Sequence, residues 1–201
     1  MAKKVFVETM NQTRMAYFGW QDKSTALWGL KEGYKNSADS LVDIALQKGA
    51  EGDIGTLDTY VFPILFLYRH SLEISLKLIY YRFFGKVLKG HKLDSLWNKV
   101  YNEIIKDING EDFLTKVKQY KTNFVKWSTE DIEFNELRDI FDELQVVDKK
   151  SDVWRYLIDN NQTLVFTDGE HIDYVNLRNV FDEVFKKLDY LYQIVSEYLS
   201  D

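Results

Sequence analysis

One segment of the sequence places an arginine, a histidine, a glutamate and a lysine at helical spacing. Arg69, His70, Glu73 and Lys77 share an arc of about 100° on a helical wheel, and apolar residues border this arc on both sides. Such side chains can act on a phosphodiester, because a histidine can move protons and an arginine can stabilise a charged phosphorane. We call these four residues the polar stripe.

The polar stripe also has a purely structural interpretation. Glu73 lies four residues from both Arg69 and Lys77, which is the spacing at which opposite charges pair along a helix. A charge buried without a partner is costly, so charges placed between apolar residues should meet partners. The sequence leaves two possibilities open: an internal ion-pair network, or a cleft in which Arg, His and Glu face a ligand.

A run of basic residues overlaps the polar stripe. From Arg69 to Lys92 there are six Lys or Arg residues and one acid, which gives +5 inside a chain of net charge −6. Contact with phosphates requires such a local excess of positive charge. For Lys86 and Lys89 the sequence favours a simpler role, which is to offset the dipole at the carboxyl end of a helix.

The elements that carry these residues are predicted to be helices. The 201 residues include only one Pro and 10 Gly, and so few helix-breaking residues favour long helices over a many-turned β fold. The chain also has no Cys, and 45% of its residues are apolar. We expect an arm over 1–22 and one all-α domain over 23–201, with helices at about 24–48, 57–85, 93–108, 111–127, 130–146 and 170–199. A small extended hairpin is predicted within 151–167, from segments 153–156 and 163–166.

Three motifs, in this order, resemble HEPN-like domains. They are His70-x-x-Glu73-x-x-Leu76-Lys77, then Gly90-His91-x-Leu93-x-x-Leu96, then Asp148-x-x-Ser151-x-x-Trp154-Arg155-Tyr156 before a long last helix. The resemblance covers about residues 57–199 and implies a helical bundle, frequent homodimers and RNA-directed roles in toxin–antitoxin, abortive-infection and CRISPR systems. The length and composition are also similar to those of abortive-infection proteins of lactococci.

The chain departs from the family in its nuclease motif. Catalytic HEPN ribonucleases carry an arginine, then four to six residues, then a histidine, and no arginine of this chain has a histidine at that distance. Arg69 directly precedes His70, and Arg82 is too far from His91. Arg155 could replace the missing arginine in space, with His70 or His91 as the acid or base.

The resemblance therefore implies a phage-defence protein of the abortive-infection type, which binds a phage protein or RNA and shuts down translation. One alternative is a divergent metal-independent ribonuclease, and another is a non-catalytic antitoxin or scaffold. The candidate catalytic residues are Arg69, His70, Glu73 and Arg155. The candidate binding residues are Lys77, His91, Ser151 and Tyr156.

Several classes of protein are not expected from this sequence. It has no glycine-rich phosphate loop, no dinucleotide-binding motif and no paired Glu-x-x-His motifs, so we expect no cofactor and no metal. The N-terminus does not read as a signal peptide, and the longest apolar run is far shorter than a membrane span. We therefore expect a cytoplasmic protein with no membrane partner, and the resemblance to HEPN-like domains implies a homodimer.

Overall fold

The computed structural model describes residues 7, 9–108, 134–148, 153–158, 161–167 and 169–199. Within these ranges the regular structure is helical and no β-strand forms, so the predicted all-α class is confirmed. The predicted helix at 111–127, the beginning of the helix at 130–146, and Ser151 lie outside the described residues.

Two long helices form an antiparallel pair. Helix α1 is Lys23–Ala50 and helix α2 is Ile54–Phe84. Each begins at an aspartate, Asp22 or Asp53, whose carboxylate accepts a hydrogen bond from a backbone N–H in the first turn. Helix α2 ends at Gly85, whose φ of 66° is left-handed and therefore favours glycine.

The described part of the chain contains four further helices. Helix α3 is Leu93–Val100 and continues through a π-helical turn, Tyr101–Ile105, into a last turn, Lys106–Ile108. Helix α4 is Phe134–Val147, helix α5 is the single turn Val153–Tyr156, and helix α6 is Tyr174–Tyr198. Helix α2 contacts α1, α3, α5 and α6, whereas α4 packs on α3. The polar stripe is thus on the central helix of the fold.

The hairpin predicted within 151–167 differs from the observed structure. Val153–Tyr156 form a helical turn, so the extended conformation predicted for them is wrong. The chain does double back after this turn, through one isolated antiparallel bridge between Ile158 and Leu164. The side chain of Asp148 accepts a hydrogen bond from the backbone N–H of Val153, which satisfies one of the donors that a helical turn leaves unpaired at its start.

Candidate functional site

The polar stripe is the centre of a buried ion-pair network. Arg69 is 4% exposed, and its Nε lies 2.6 Å from Oδ2 of Asp148. Its Nη1 is 3.4 Å from Oε2 of Glu73, and its Nη2 donates a 2.7 Å hydrogen bond to the backbone oxygen of His91. The guanidinium therefore links α2 to the end of α4 and to the chain that enters α3.

Glu73 is the acidic partner on the same helix. It is 3% exposed, and its Oε1 lies 2.8 Å from Nζ of Lys77 and 2.9 Å from Nδ1 of His91. Burial alone would raise the pKa of Glu73, but the hydrogen bonds and charges of Lys77 and His91 outweigh it and lower the pKa. Glu73 is therefore held as a carboxylate, and the i,i+4 pairing proposed from the sequence is present.

Asp148 completes the network from outside the stripe. It is 1% exposed, and it joins Arg69 with one carboxylate oxygen and the backbone of Val153 with the other. The neighbouring Gln145 donates to the backbone oxygen of Asp148 and accepts from the backbone N–H of Leu93. Sequence spacing does not reveal Asp148 as a partner, because only the tertiary fold brings the end of α4 to the middle of α2.

His70 has a different environment from its neighbour Arg69. Its ring packs edge-on against Tyr34, with centroids 4.6 Å apart, and stacks on Phe66 at 5.7 Å. Burial, as the largest cause, lowers the pKa of His70 from its ordinary value of 6.5. His70 is thus a packed, neutral ring between α1 and α2 at neutral pH.

This environment gives a pH-dependent stability. As the pH falls through 6.5, the unfolded chain takes up a proton at His70, whereas the folded chain resists protonation. Stability that is present above pH 6.5 is therefore lost as the pH falls below it. We expect His70→Phe to reduce the loss of stability between about pH 7 and about pH 5.5, measured by urea unfolding. The exposed His171, changed to Phe, is the control; an equal reduction in both variants would contradict this role for His70.

The remaining candidate residues lie apart from the centre of the network. Arg155 and Tyr156 are exposed on α5, and the guanidinium of Arg155 lies 5.5 Å from the ring centroid of Tyr156. The structure therefore brings together Arg69, Glu73, Lys77 and His91 from the candidate set. It does not gather Arg69, His70, Glu73 and Arg155 in one open cleft, since the first and third are buried and the last is exposed.

The end of the basic run forms an exposed loop directly above this network. We call residues 85–92 the cationic loop; Lys86, Lys89 and Lys92 are exposed on it, and the His91 side chain is 69% exposed. Within the loop the side chain of Leu88 is buried, and the backbone oxygen of His91 accepts a hydrogen bond from Arg69. Gly85 and Gly90 have positive φ angles of 66° and 94°, which let the short loop turn sharply. A buried network thus holds a positively charged surface in place.

Comparison with protein-family models, curated proteins and solved structures finds no significant match for this chain. The resemblance to HEPN-like domains therefore rests on the three sequence motifs. Within the described ranges, no helix is both long and apolar enough to cross a membrane. In the same part of the chain, no group of three or more His, Cys, Asp or Glu side chains is arranged to hold a metal ion.

Proposed function

We propose that this protein acts by binding RNA through the cationic loop, as a phage-defence protein of the abortive-infection type that shuts down translation. One observation carries the proposal: three exposed lysines stand on a short loop that buried ion pairs hold from below. The phage-defence and translation parts come from the resemblance to HEPN-like proteins, in which such roles are common.

The burial of the polar stripe supports binding over catalysis by these residues. The charges of Arg69 and Glu73 are already paired with Asp148, Lys77 and His91, and both side chains are almost fully buried. A group that stabilises a reacting phosphate must be within hydrogen-bond reach of it. The stripe is better suited to fixing the loop than to meeting a substrate.

RNA suits the loop better than a generic acidic surface does. Phe84, the last residue of α2, and Val87 are partly exposed next to the lysines in sequence, so one aromatic ring adjoins the positive charges of the loop. Single-stranded RNA is commonly bound by stacking of bases on aromatic rings combined with lysine–phosphate contacts. A phage protein with an acidic surface is the other partner that the sequence leaves open.

The proposal is tested by removing the loop's charge. Lys86, Lys89 and Lys92, changed together to Gln, are expected to weaken binding of single-stranded RNA by about tenfold or more at low salt. The slope of log affinity against log salt should become shallower by about 2, at roughly 0.7 for each phosphate that a lysine no longer neutralises. Fluorescence anisotropy with a labelled oligoribonucleotide over a salt series gives both values.

The matched control removes the same charge elsewhere. Lys23, Lys106 and Lys186 are also exposed, and their combined change to Gln should leave the affinity near that of the wild type. Equal weakening in both triple variants would mean that only net charge matters. Absence of RNA binding by the wild type, with loop-dependent capture of a phage protein, would replace RNA with the protein partner.

A divergent ribonuclease is the second candidate, and one observation favours it. His91 is exposed while its Nδ1 contacts the buried carboxylate of Glu73, an arrangement that can orient a histidine for acid–base catalysis. His91→Ala should then abolish RNA cleavage in a single-turnover assay while RNA binding persists. Under the binding proposal, the wild type leaves the RNA intact.

A homodimer is the oligomeric state that we propose, because the resemblance implies one. Helix α1 exposes Leu30 and Ile44 on one side and Trp28 and Leu46 on the opposite side, several turns apart, so the proposal rests on the resemblance and not on a continuous apolar patch. Light scattering of the full chain is expected to give twice the mass of 23.8 kDa. A strict monomer at high concentration would rule the dimer out.

A further inference from the structure

A cavity of about 510 Å³ lies beside the first turns of α2, far from the cationic loop at the other end of that helix. Its wall is mainly apolar and includes the aromatic rings of Phe62, Trp154, Phe166 and Tyr174. The rings of Trp154 and Phe166 are 5.4 Å apart. A volume of this size with a few polar groups is typical of sites for small organic ligands.

The charged groups around the cavity have one predominant sign. Its lining includes the carboxylates of Asp58 and Glu170 and the ring of His171, and no Lys or Arg is among the described residues that line it. Burial, followed by the negative charge of Asp58, raises the pKa of Tyr174, which indicates that this carboxylate acts on the cavity wall. Aromatic faces and nearby carboxylates together favour organic cations and disfavour anions.

We propose that this cavity binds a small aromatic ammonium ion. Its charge is placed by the carboxylates of Asp58 and Glu170, and its ring packs among the aromatic side chains of the wall. This site is separate from the proposed RNA contact on the cationic loop, so either proposal can fail without the other.

Three probes of similar size test the charge, by calorimetric titration of the full chain. Tyramine is cationic, tyrosol is its neutral analogue, and 3-(4-hydroxyphenyl)propanoate is its anionic analogue. We expect tyramine to bind about tenfold more tightly than the anion, with tyrosol between them. Equal affinities for the cation and the anion, or no binding of any probe, would overturn the proposal.

Single variants assign the contributions to residues. Trp154→Ala removes part of the aromatic wall, so it should weaken the binding of all three probes. Asp58→Asn should reduce the preference for tyramine over tyrosol, whereas Asp142→Asn, at an exposed position on α4, should not. Unchanged affinities in the Trp154 variant and an unchanged preference in the Asp58 variant, with unfolding curves like the wild type, would also overturn the proposal.

Discussion

Replacing Arg69 by leucine is expected to lower the free energy of unfolding by about 3–5 kcal/mol. The change leaves the carboxylate of Asp148, which is 1% exposed, without the guanidinium 2.6 Å away. It also removes the hydrogen bond from Arg69 to the backbone of His91, which anchors the cationic loop. Urea unfolding followed by circular dichroism measures the loss.

A double variant separates the charge from the side-chain volume. Asp148→Asn removes the negative charge and can still accept from the backbone of Val153. Combined with Arg69→Leu it should recover about 1–2 kcal/mol relative to Arg69→Leu alone, since no unpaired charge is left at this position. Arg155→Leu, at an exposed position, is the control and should change stability by less than about 0.5 kcal/mol. An equally small effect of Arg69→Leu would mean that the network does not hold the fold.

Trp97→Ala is expected to destabilise the protein by a similar amount, about 3–5 kcal/mol. Trp97 is fully buried between α3 and α4, with its ring centroid 5.3 Å from that of Phe141 and 6.1 Å from that of Tyr101. The substitution leaves a cavity that neighbouring helices cannot fill without moving. The same unfolding assay applies.

Trp20→Ala is the matched control for this prediction. Trp20 precedes α1 and is exposed, so its truncation should change stability by less than about 0.5 kcal/mol. A comparable loss in the two variants would show that Trp97 has no special place in the core, or that Trp20 is covered in solution by another subunit. A light-scattering measurement on both variants distinguishes these two results.

The long helices were predictable because their apolar residues repeat with a helical period and their ends carry clear signals. The sequence places the start of α1 within one residue of the observed Lys23, where Asp22 caps the helix. For α2 the predicted start is three residues late, because the cap at Asp53 lies inside a glycine-rich segment that reads as loop. These are local signals, so a single sequence contains them.

The conformation of residues 153–156 and the partner of Arg69 were not predictable, because neither is set by a local signal. Residues 153–156 are aromatic and β-branched enough to suggest a strand, but they form a helical turn whose first backbone N–H donates to the carboxylate of Asp148. The same carboxylate pairs with Arg69, which is distant in sequence. Both contacts depend on where the fold places one aspartate, and no local pattern encodes that position.

The sequence predicted which residues form the candidate site. It did not predict whether these residues pair with one another or face a ligand. The i,i+4 spacing of Arg69, Glu73 and Lys77 indicated pairing, and the structure contains those pairs. His70 does not take part in these pairs, because its ring packs against Tyr34 on another helix. Spacing along α2 cannot show that contact. The exposure of the cationic loop likewise follows from its anchoring by the network and by Leu88.

The most direct test of the account compares three chains in bacteria, with and without phage, following growth and the integrity of total RNA. The chains are the wild type, His91→Ala, and the triple Lys86, Lys89 and Lys92 variant. We expect phage-dependent growth arrest with intact RNA in the wild type, retained in the first variant and lost in the second. Fragmented RNA in the wild type, abolished by His91→Ala, would contradict the account and identify a nuclease.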